Sequence, residues 1–172
     1  TDGRVSGVRL SDGREIPTDV VVVGIGVVPN QELAQEAGLA CDNGILVDEF
    51  ARTSDPKIVS AGDCTNHPNS LLGRRLRLES VHNALEQAKS AAASLMGEKL
   101  AYAQVPWFWS DQYDVKLQMV GLSQNHDTAL VRGDPADSAF SVFYFRTGTL
   151  VGVDSINRPA EHMLARKLMQ TG

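Results

Sequence analysis

The sequence is short of the features that mark several common function classes. It has two cysteines in 172 residues, Cys41 and Cys64, too few and too far apart for a disulfide framework or a four-ligand zinc site. Isolated thiols of this kind fit a reducing compartment, so a cytoplasmic location is expected. No apolar run approaches the roughly 18 residues that a membrane-spanning helix needs, so no membrane insertion is expected. A basic surplus is also lacking. Sixteen Lys+Arg stand against 21 Asp+Glu, a net charge of −5, which argues against nucleic acid as the partner. No G-x-G-x-x-G follows a strand, and neither dinucleotide pyrophosphate site is expected within these residues. Repeats and low-complexity tracts are missing. The first residue is Thr1, no charged-then-apolar leader follows, and the chain reads as the back part of something larger.

What is present is enough to build a core, since 42% of the residues are hydrophobic. Val5 to Leu10 and Glu15 to Ile16 flank Asp12-Gly13, which predicts a tight hairpin. Val20 to Val23 is a continuous apolar run ending at Gly24 and suits a central strand covered on both faces. A short helix should follow, with Asn30 as N-cap, Leu33 and Ala37 on one face and Gly38 as its stop. Gly44 to Val47 and Ile58 to Ala61 predict short strands. The longest helix should run from about Ser80 to Met96 and close at Gly97. Val81, Ala84, Leu85, Ala88, Ala92 and Leu95 would form its buried stripe, lying close to a sheet or a ligand.

Composition changes near Ala103. Val105 to Tyr113 holds two Trp, one Phe and one Tyr, and alternating segments begin beyond it. Val115 to Met119, Ala129 to Val131, Phe140 to Phe145 and Leu150 to Val153 predict an antiparallel meander. Pro159 would open a last helix reaching about Met169.

The stretch Thr53-Ser54-Asp55-Pro56-Lys57-Ile58-Val59-Ser60-Ala61-Gly62-Asp63 carries the most chemistry. It predicts a turn, a buried strand, and Gly62-Asp63 at that strand's carboxyl end, where open α/β sheets bind ligands. The glycine admits close approach, and the carboxylate can accept hydrogen bonds from sugar-like hydroxyls. Taken alone, the pair is more at home capping a turn than binding a ligand.

This stretch resembles the second flavin-binding motif of the two-dinucleotide-fold flavoproteins, and Val20 to Asn30 resembles the end of their NAD domain. Glu79-Ser80-Val81-His82-Asn83-Ala84-Leu85-Glu86-Gln87-Ala88, Val105-Pro106-Trp107-Phe108-Trp109-Ser110-Asp111-Gln112-Tyr113 and Asn157-Arg158-Pro159 narrow the likeness. They are similar to the NADH-dependent ferredoxin reductases of bacterial oxygenase systems. The implied fold is an α/β flavoprotein segment: residues 1–30 end the NAD domain and residues 31–102 continue the FAD domain. An α+β C-terminal interface domain with an antiparallel sheet would occupy residues 103–172.

The resemblance further implies that Gly62 and Asp63 hold the ribityl chain of FAD. Ser80, Val81 and His82 would present the helix N-terminus to the pyrimidine edge of the flavin, where free N–H groups and the helix dipole favour negative charge. Trp109 would stand between the flavin and the incoming iron–sulfur protein, with Trp107 structural. NADH would deliver hydride to FAD, which passes electrons singly to a [2Fe–2S] ferredoxin, with no metal ligand, nucleophile or general base required from this chain. Such ferredoxins are acidic, and Lys89 and Arg166 match basic docking positions of the family, whereas Gln118 replaces another, with Lys116 nearby. No His-Pro-Thr element lies between Tyr102 and Gly172, which favours electron transfer to a protein over thiol chemistry. Alone, the chain should retain little FAD and be inactive; a homodimer is left open. Two alternatives remain: another FAD/NAD(P)H oxidoreductase of the superfamily, or a non-catalytic interaction module.

Overall fold

A computed structural model describes residues 3–70 and 72–171. The front hairpin forms as the Asp12-Gly13 turn predicts. Strand β1 (Gly7–Arg9) pairs antiparallel with β2 (Glu15–Pro17). Asp12 Oδ1 accepts from the Arg14 amide at 3.0 Å, and the Leu10 amide donates to the Arg14 carbonyl at 2.8 Å. The valine run does not become a central strand. Val20 to Val23 has no ladder partner among the described residues and is exposed, Val22 by 91%. A strand of this composition is stable only beside other strands, and none of the described ones lies along it.

Helix α1 (Glu32–Glu36) starts one residue later than expected. Its N-cap is Gln31, whose Oε1 accepts from the Gly44 amide at 2.7 Å instead of capping the helix. Ala34 is its buried residue, while Leu33 is exposed, so the expected Leu33/Ala37 face is not the packed one.

The middle sheet has order β3-β4-β5 (Ile45–Leu46, Thr65–Asn69, Arg74–Leu76), with β3 parallel and β5 antiparallel to β4. Ile58 to Ala61 does not form a strand; among the described residues it contributes the isolated bridge Arg52↔Val59. Strand β4 is polar, Thr-Asn-His-Pro-Asn, and gives no apolar alternation to read.

Helix α2 (Val81–Leu95) has the predicted ends. Ser80 Oγ accepts from the Asn83 amide at 3.1 Å, and Gly97 follows the C-cap Met96 in the left-handed region. Its faces are reversed from the expectation. Asn83, Gln87, Ser90 and Ala91 are buried, whereas Val81, Leu85 and Leu95 are exposed. Hydrogen bonds offset part of the cost of this polar inner face: Asn83 Nδ2 donates to the Leu78 carbonyl at 3.0 Å, while Asn83 Oδ1 and Gln87 Nε2 have no partner among the described residues.

The last five strands are β6 (Trp107–Gln112), β7 (Val115–Gly121), β8 (Thr128–Asp134), β9 (Ala139–Arg146) and β10 (Thr149–Ile156). All their pairings are antiparallel, but the order is β6-β7-β10-β9-β8, so β10 inserts where a simple meander would place β8. Helix α3 (Pro159–Thr171) packs on β7 and β10. Val120, Val153 and Ala165 are the centre of that core, with Trp107, Phe143 and Met169 packed around them. Gly121 is required there: a Cβ would stand 2.3 Å from the Val151 carbonyl oxygen and 2.5 Å from Met169. Among the described residues no helix is long and apolar enough to cross a membrane.

Candidate functional site

The turn at Gly62-Asp63 is fastened to the first half of α2. Gln87 Oε1, buried inside the helix face, accepts from the Gly62 amide and from Thr65 Oγ1, both at 2.7 Å. The Gly62 carbonyl in turn accepts from the Thr65 amide at 3.0 Å, and it lies 2.8 Å from Thr65 Oγ1, whose single proton is shared between this carbonyl and Gln87 Oε1. Gly62 has φ +87°, and a Cβ there would lie 3.6 Å from the Ala84 Cβ. The turn therefore sits against α2 one turn from its N-terminus. Gly62 is buried, and Asp63 beside it is exposed.

At the same helix end, Ser80 caps the Asn83 amide, which leaves the amides of Val81 and His82 without intrahelical partners. Val81 is exposed. His82 turns toward the C-terminal sheet, its ring centroid 5.3 Å from Trp107. Trp107 in turn lies 5.4 Å from Trp109 and 5.9 Å from His162. The Arg166 guanidinium stacks over the Trp107 ring at 4.5 Å, a cation–π contact.

Trp107, expected to be structural, packs against His82 of α2, Trp109 of β6, and His162 and Arg166 of α3. Trp109 is 45% exposed at the outer end of this stack. A groove of about 570 Å³ opens beside it, lined by Trp107, Trp109, Asp111, Lys116, Gln118 and Asn157, with Pro159.

Burial lowers the pKa of His82; Glu86 opposes the shift, and Arg166 and Lys89 add to it. Burial, then Arg166, lowers that of His162 as well. Both rings are held toward the neutral form. Lys89 is exposed and donates to Glu86 Oε1 at 2.6 Å, whereas Arg166 is committed to the indole face.

The structure therefore gathers Gly62, Asp63, Ser80, Val81 and His82 around one helix end, with Trp109 reached through Trp107. Lys89 lies two turns along α2, and Arg166 lies on α3. These features fit the flavin that the resemblance implies: a left-handed glycine permitting close approach, an exposed carboxylate, free helix amides and an exposed aromatic wall. Buried polar atoms without partners among the described residues cluster here too, namely His82 Nδ1, Trp107 Nε1 and both ring nitrogens of His162. Among the described residues no group of three His, Cys, Asp or Glu side chains is placed to hold a metal ion. Sequence reasoning missed Gln87, Thr65, His162 and Arg77. The three-and-four spacing of Asn83, Gln87 and Ser90 was the available signal for an inward polar face.

Residues 1–88 match the family described as pyridine nucleotide-disulphide oxidoreductase, and residues 107–172 match the reductase C-terminal family. Rhodocoxin reductase of Rhodococcus erythropolis is 51% identical over 99% of this chain and 40% of its own length. Putidaredoxin reductase CamA of Pseudomonas putida is 46% identical over 96% of this chain and 39% of its own. The chain thus spans about 40% of the length of these curated relatives. Among solved structures, the ferredoxin reductase for the CYP199A2 system from Rhodopseudomonas palustris superposes with a TM-score of 0.92 at 48% identity, covering 97% of this chain and 41% of that one. The covalent putidaredoxin reductase–putidaredoxin complex gives a TM-score of 0.88 at 47% identity, over 95% of this chain and 39% of that one.

Proposed function

The chain belongs to the pyridine nucleotide-disulphide oxidoreductase family, and from that premise we propose that it is part of an FAD-containing reductase taking hydride from NADH and delivering single electrons to a [2Fe–2S] ferredoxin. The observation that carries this reading is the meeting of Gly62-Asp63, the N-terminus of α2 and the Trp107–Trp109 stack at one place. The names of its relatives support it: rhodocoxin reductase and putidaredoxin reductase are redox-protein reductases by name. Bound FAD would supply the hydride acceptance and one-electron release that amino-acid side chains lack.

The chain's own residues bind and orient. Asp63 accepts hydrogen bonds from ribityl hydroxyls, and Gly62 lets the backbone come close. The amides of Val81 and His82, with the Ser80 cap, place a partial positive charge at the flavin's pyrimidine edge. Trp109 excludes water from one side and faces the partner, while Lys89 and Arg166 add positive charge for an acidic ferredoxin. Residues 1–30 and 31–102 act as the end of the NAD domain and a segment of the FAD domain, and residues 103–172 form the partner-facing domain. The two free cysteines suit a cytoplasmic setting.

The test is anaerobic stopped-flow on the FAD-loaded reductase containing this chain. NADH should bleach the flavin band, and two equivalents of [2Fe–2S] ferredoxin should then be reduced, each by one electron. Flavin bleaching without ferredoxin reduction, but with turnover of a disulfide substrate, would move the protein to another branch of the family.

A further inference from the structure

Arg77 lies between β5 and α2 and joins three stretches of chain that are far apart in sequence. One terminal nitrogen donates to the Asp63 carbonyl at 3.1 Å and to Glu79 Oε1 at 2.6 Å. The other donates to the Val27 carbonyl at 3.4 Å. The side chain is only 11% exposed. Its neighbours Arg74 and Arg75 have other partners: Arg75 donates to the Val47 and Asn66 carbonyls, and Arg74 to Gln124 Oε1. Space is reserved for Arg77 at Gly44. That residue has φ +119°, and a Cβ on it would stand 3.1 Å from Arg77 Cδ and 2.8 Å from the Cys64 carbonyl oxygen.

The contact to Asp63 matters because of what grips the same turn from the other side. Gln87 Oε1 holds the Gly62 amide, and Arg77 holds the Asp63 carbonyl. The peptides on either side of the Gly62-Asp63 link, 61–62 and 63–64, are therefore both held, which brackets the turn. With the backbone held in this way, the Cα–Cβ bond of the exposed Asp63 keeps one direction, which sets the region its carboxylate can reach. A guanidinium is suited to the task because its planar fork reaches separate acceptors at once, whereas an ammonium is a single point. Glu79 balances the charge that burial would otherwise make costly.

The geometry points to Arg77 as the positioning residue of the Gly62-Asp63 turn, and as the strut that ties the segment ending near Val27 to that turn. This rests on the reading of Asp63 as the acceptor for FAD.

The test measures FAD dissociation constants, by the fluorescence of released flavin, for the reductase containing this chain. Four forms are compared: the unaltered protein, Asp63→Ala, Arg77→Met and the double variant. Each single change should weaken FAD roughly tenfold or more. The double variant should be no weaker than about the worse single one, because Arg77 acts through Asp63. Arg77→Lys keeps the charge beside Glu79 but loses the fork, and should fall between Arg77→Met and the unaltered protein. With FAD stripped away, amide exchange at residues 62–65 should quicken in Arg77→Met while β9 and β10 stay protected. Additive losses in the double variant, or exchange quickened throughout, would reduce Arg77 to general scaffolding and overturn the assignment. Full FAD affinity in Arg77→Met and Arg77→Lys, beside a weakened Asp63→Ala, overturns it while sparing the FAD reading. Full affinity in Asp63→Ala overturns both.

Discussion

Asp63 and His67 sit four residues apart and show opposite ways of using a polar side chain. Asp63 is exposed, held by its backbone, and available to a ligand. Replacing it with alanine removes a charged acceptor, and such bonds contribute about 1.5–3 kcal/mol, or one to two decades in affinity. Asp63→Asn, which keeps an acceptor oxygen without the charge, should lose less. Equilibrium FAD titration of both variants checks the order, and equal affinity in all three forms would remove Asp63 from the site.

His67 is 1% exposed, with neither ring nitrogen paired among the described residues, and its ring meets Tyr102 edge-on at 5.0 Å. Burial, with Arg75 adding to it, pushes its pKa down to about 4 from 6.5. The folded protein therefore holds His67 neutral, while the unfolded chain protonates it below 6.5. The stability this provides is complete above pH 6.5 and is lost as pH falls from 6.5 toward 4, by roughly 2–3 kcal/mol. His82 and His162, also lowered, act in the same direction. Urea unfolding at pH 7, 5.5 and 4.5 should show a shallower loss in His67→Gln than in the unaltered protein. Parallel curves for the two would show that His67 does not carry the pH dependence.

At the scale of elements, α2 shows what a sequence discloses and what it withholds. Its ends were legible, because Ser80 and Gly97 are local signals whose chemistry does not depend on the rest of the fold. Ser80→Ala should lower stability by about 1 kcal/mol, measurable as a shift in the urea midpoint with unchanged slope. A shift no larger than that of Ser70→Ala, an exposed serine outside the helix, would show that the cap contributes nothing. The inner face was misread. The three-and-four spacing of Val81, Leu85 and Leu95 is real, but it does not say which surface covers the stripe.

The partners of Gln87 and Arg77 are illegible in the sequence for a related reason, although spacing could have marked Gln87 as inward-facing. Their roles arise only when Gly62, Thr65 and Val27 are brought to them from distant parts of the chain. In the C-terminal sheet, alternation marked β7 to β10 but not the aromatic β6, and it could not place β10 between β7 and β9, since pairing over that distance leaves no local trace. The site was legible chiefly through motif resemblance, which supplied Asp63, the helix end and Trp109 together. Physical reading alone left Gly62-Asp63 as either a ligand site or a turn.

For the whole molecule, two exposed apolar surfaces stand out: the segment from Val20 to Val28, and the Val81/Leu85/Leu95 stripe of α2. Surfaces of this kind are ordinarily covered by another polypeptide, and on this account the 172 residues alone should retain little FAD. The other molecular property is charge. The net charge of these 172 residues is −5, so on the proposed reading an acidic ferredoxin would meet them through local positive charge. Lys89 and Arg166 would supply it in different ways. Lys89 is exposed and, among the described residues, paired with Glu86 on its own helix, so its contribution would be long-range attraction. Arg166 rests on Trp107, and removing it also loosens the stack that ends in Trp109. The two reversals should therefore separate kinetically. Lys89→Glu should slow ferredoxin association at low salt and flatten its dependence on ionic strength, because steering acts on the on-rate. Arg166→Glu should do the same and also lower the electron-transfer rate at saturating ferredoxin. Stopped-flow reduction of ferredoxin across a salt series measures both quantities, with the NADH half-reaction followed separately so that a fault in flavin reduction is not mistaken for one in docking. Unchanged salt dependence in Lys89→Glu/Arg166→Glu would place the docking face elsewhere. A loss confined to association in Arg166→Glu would show that its contact with Trp107 has no part in electron delivery.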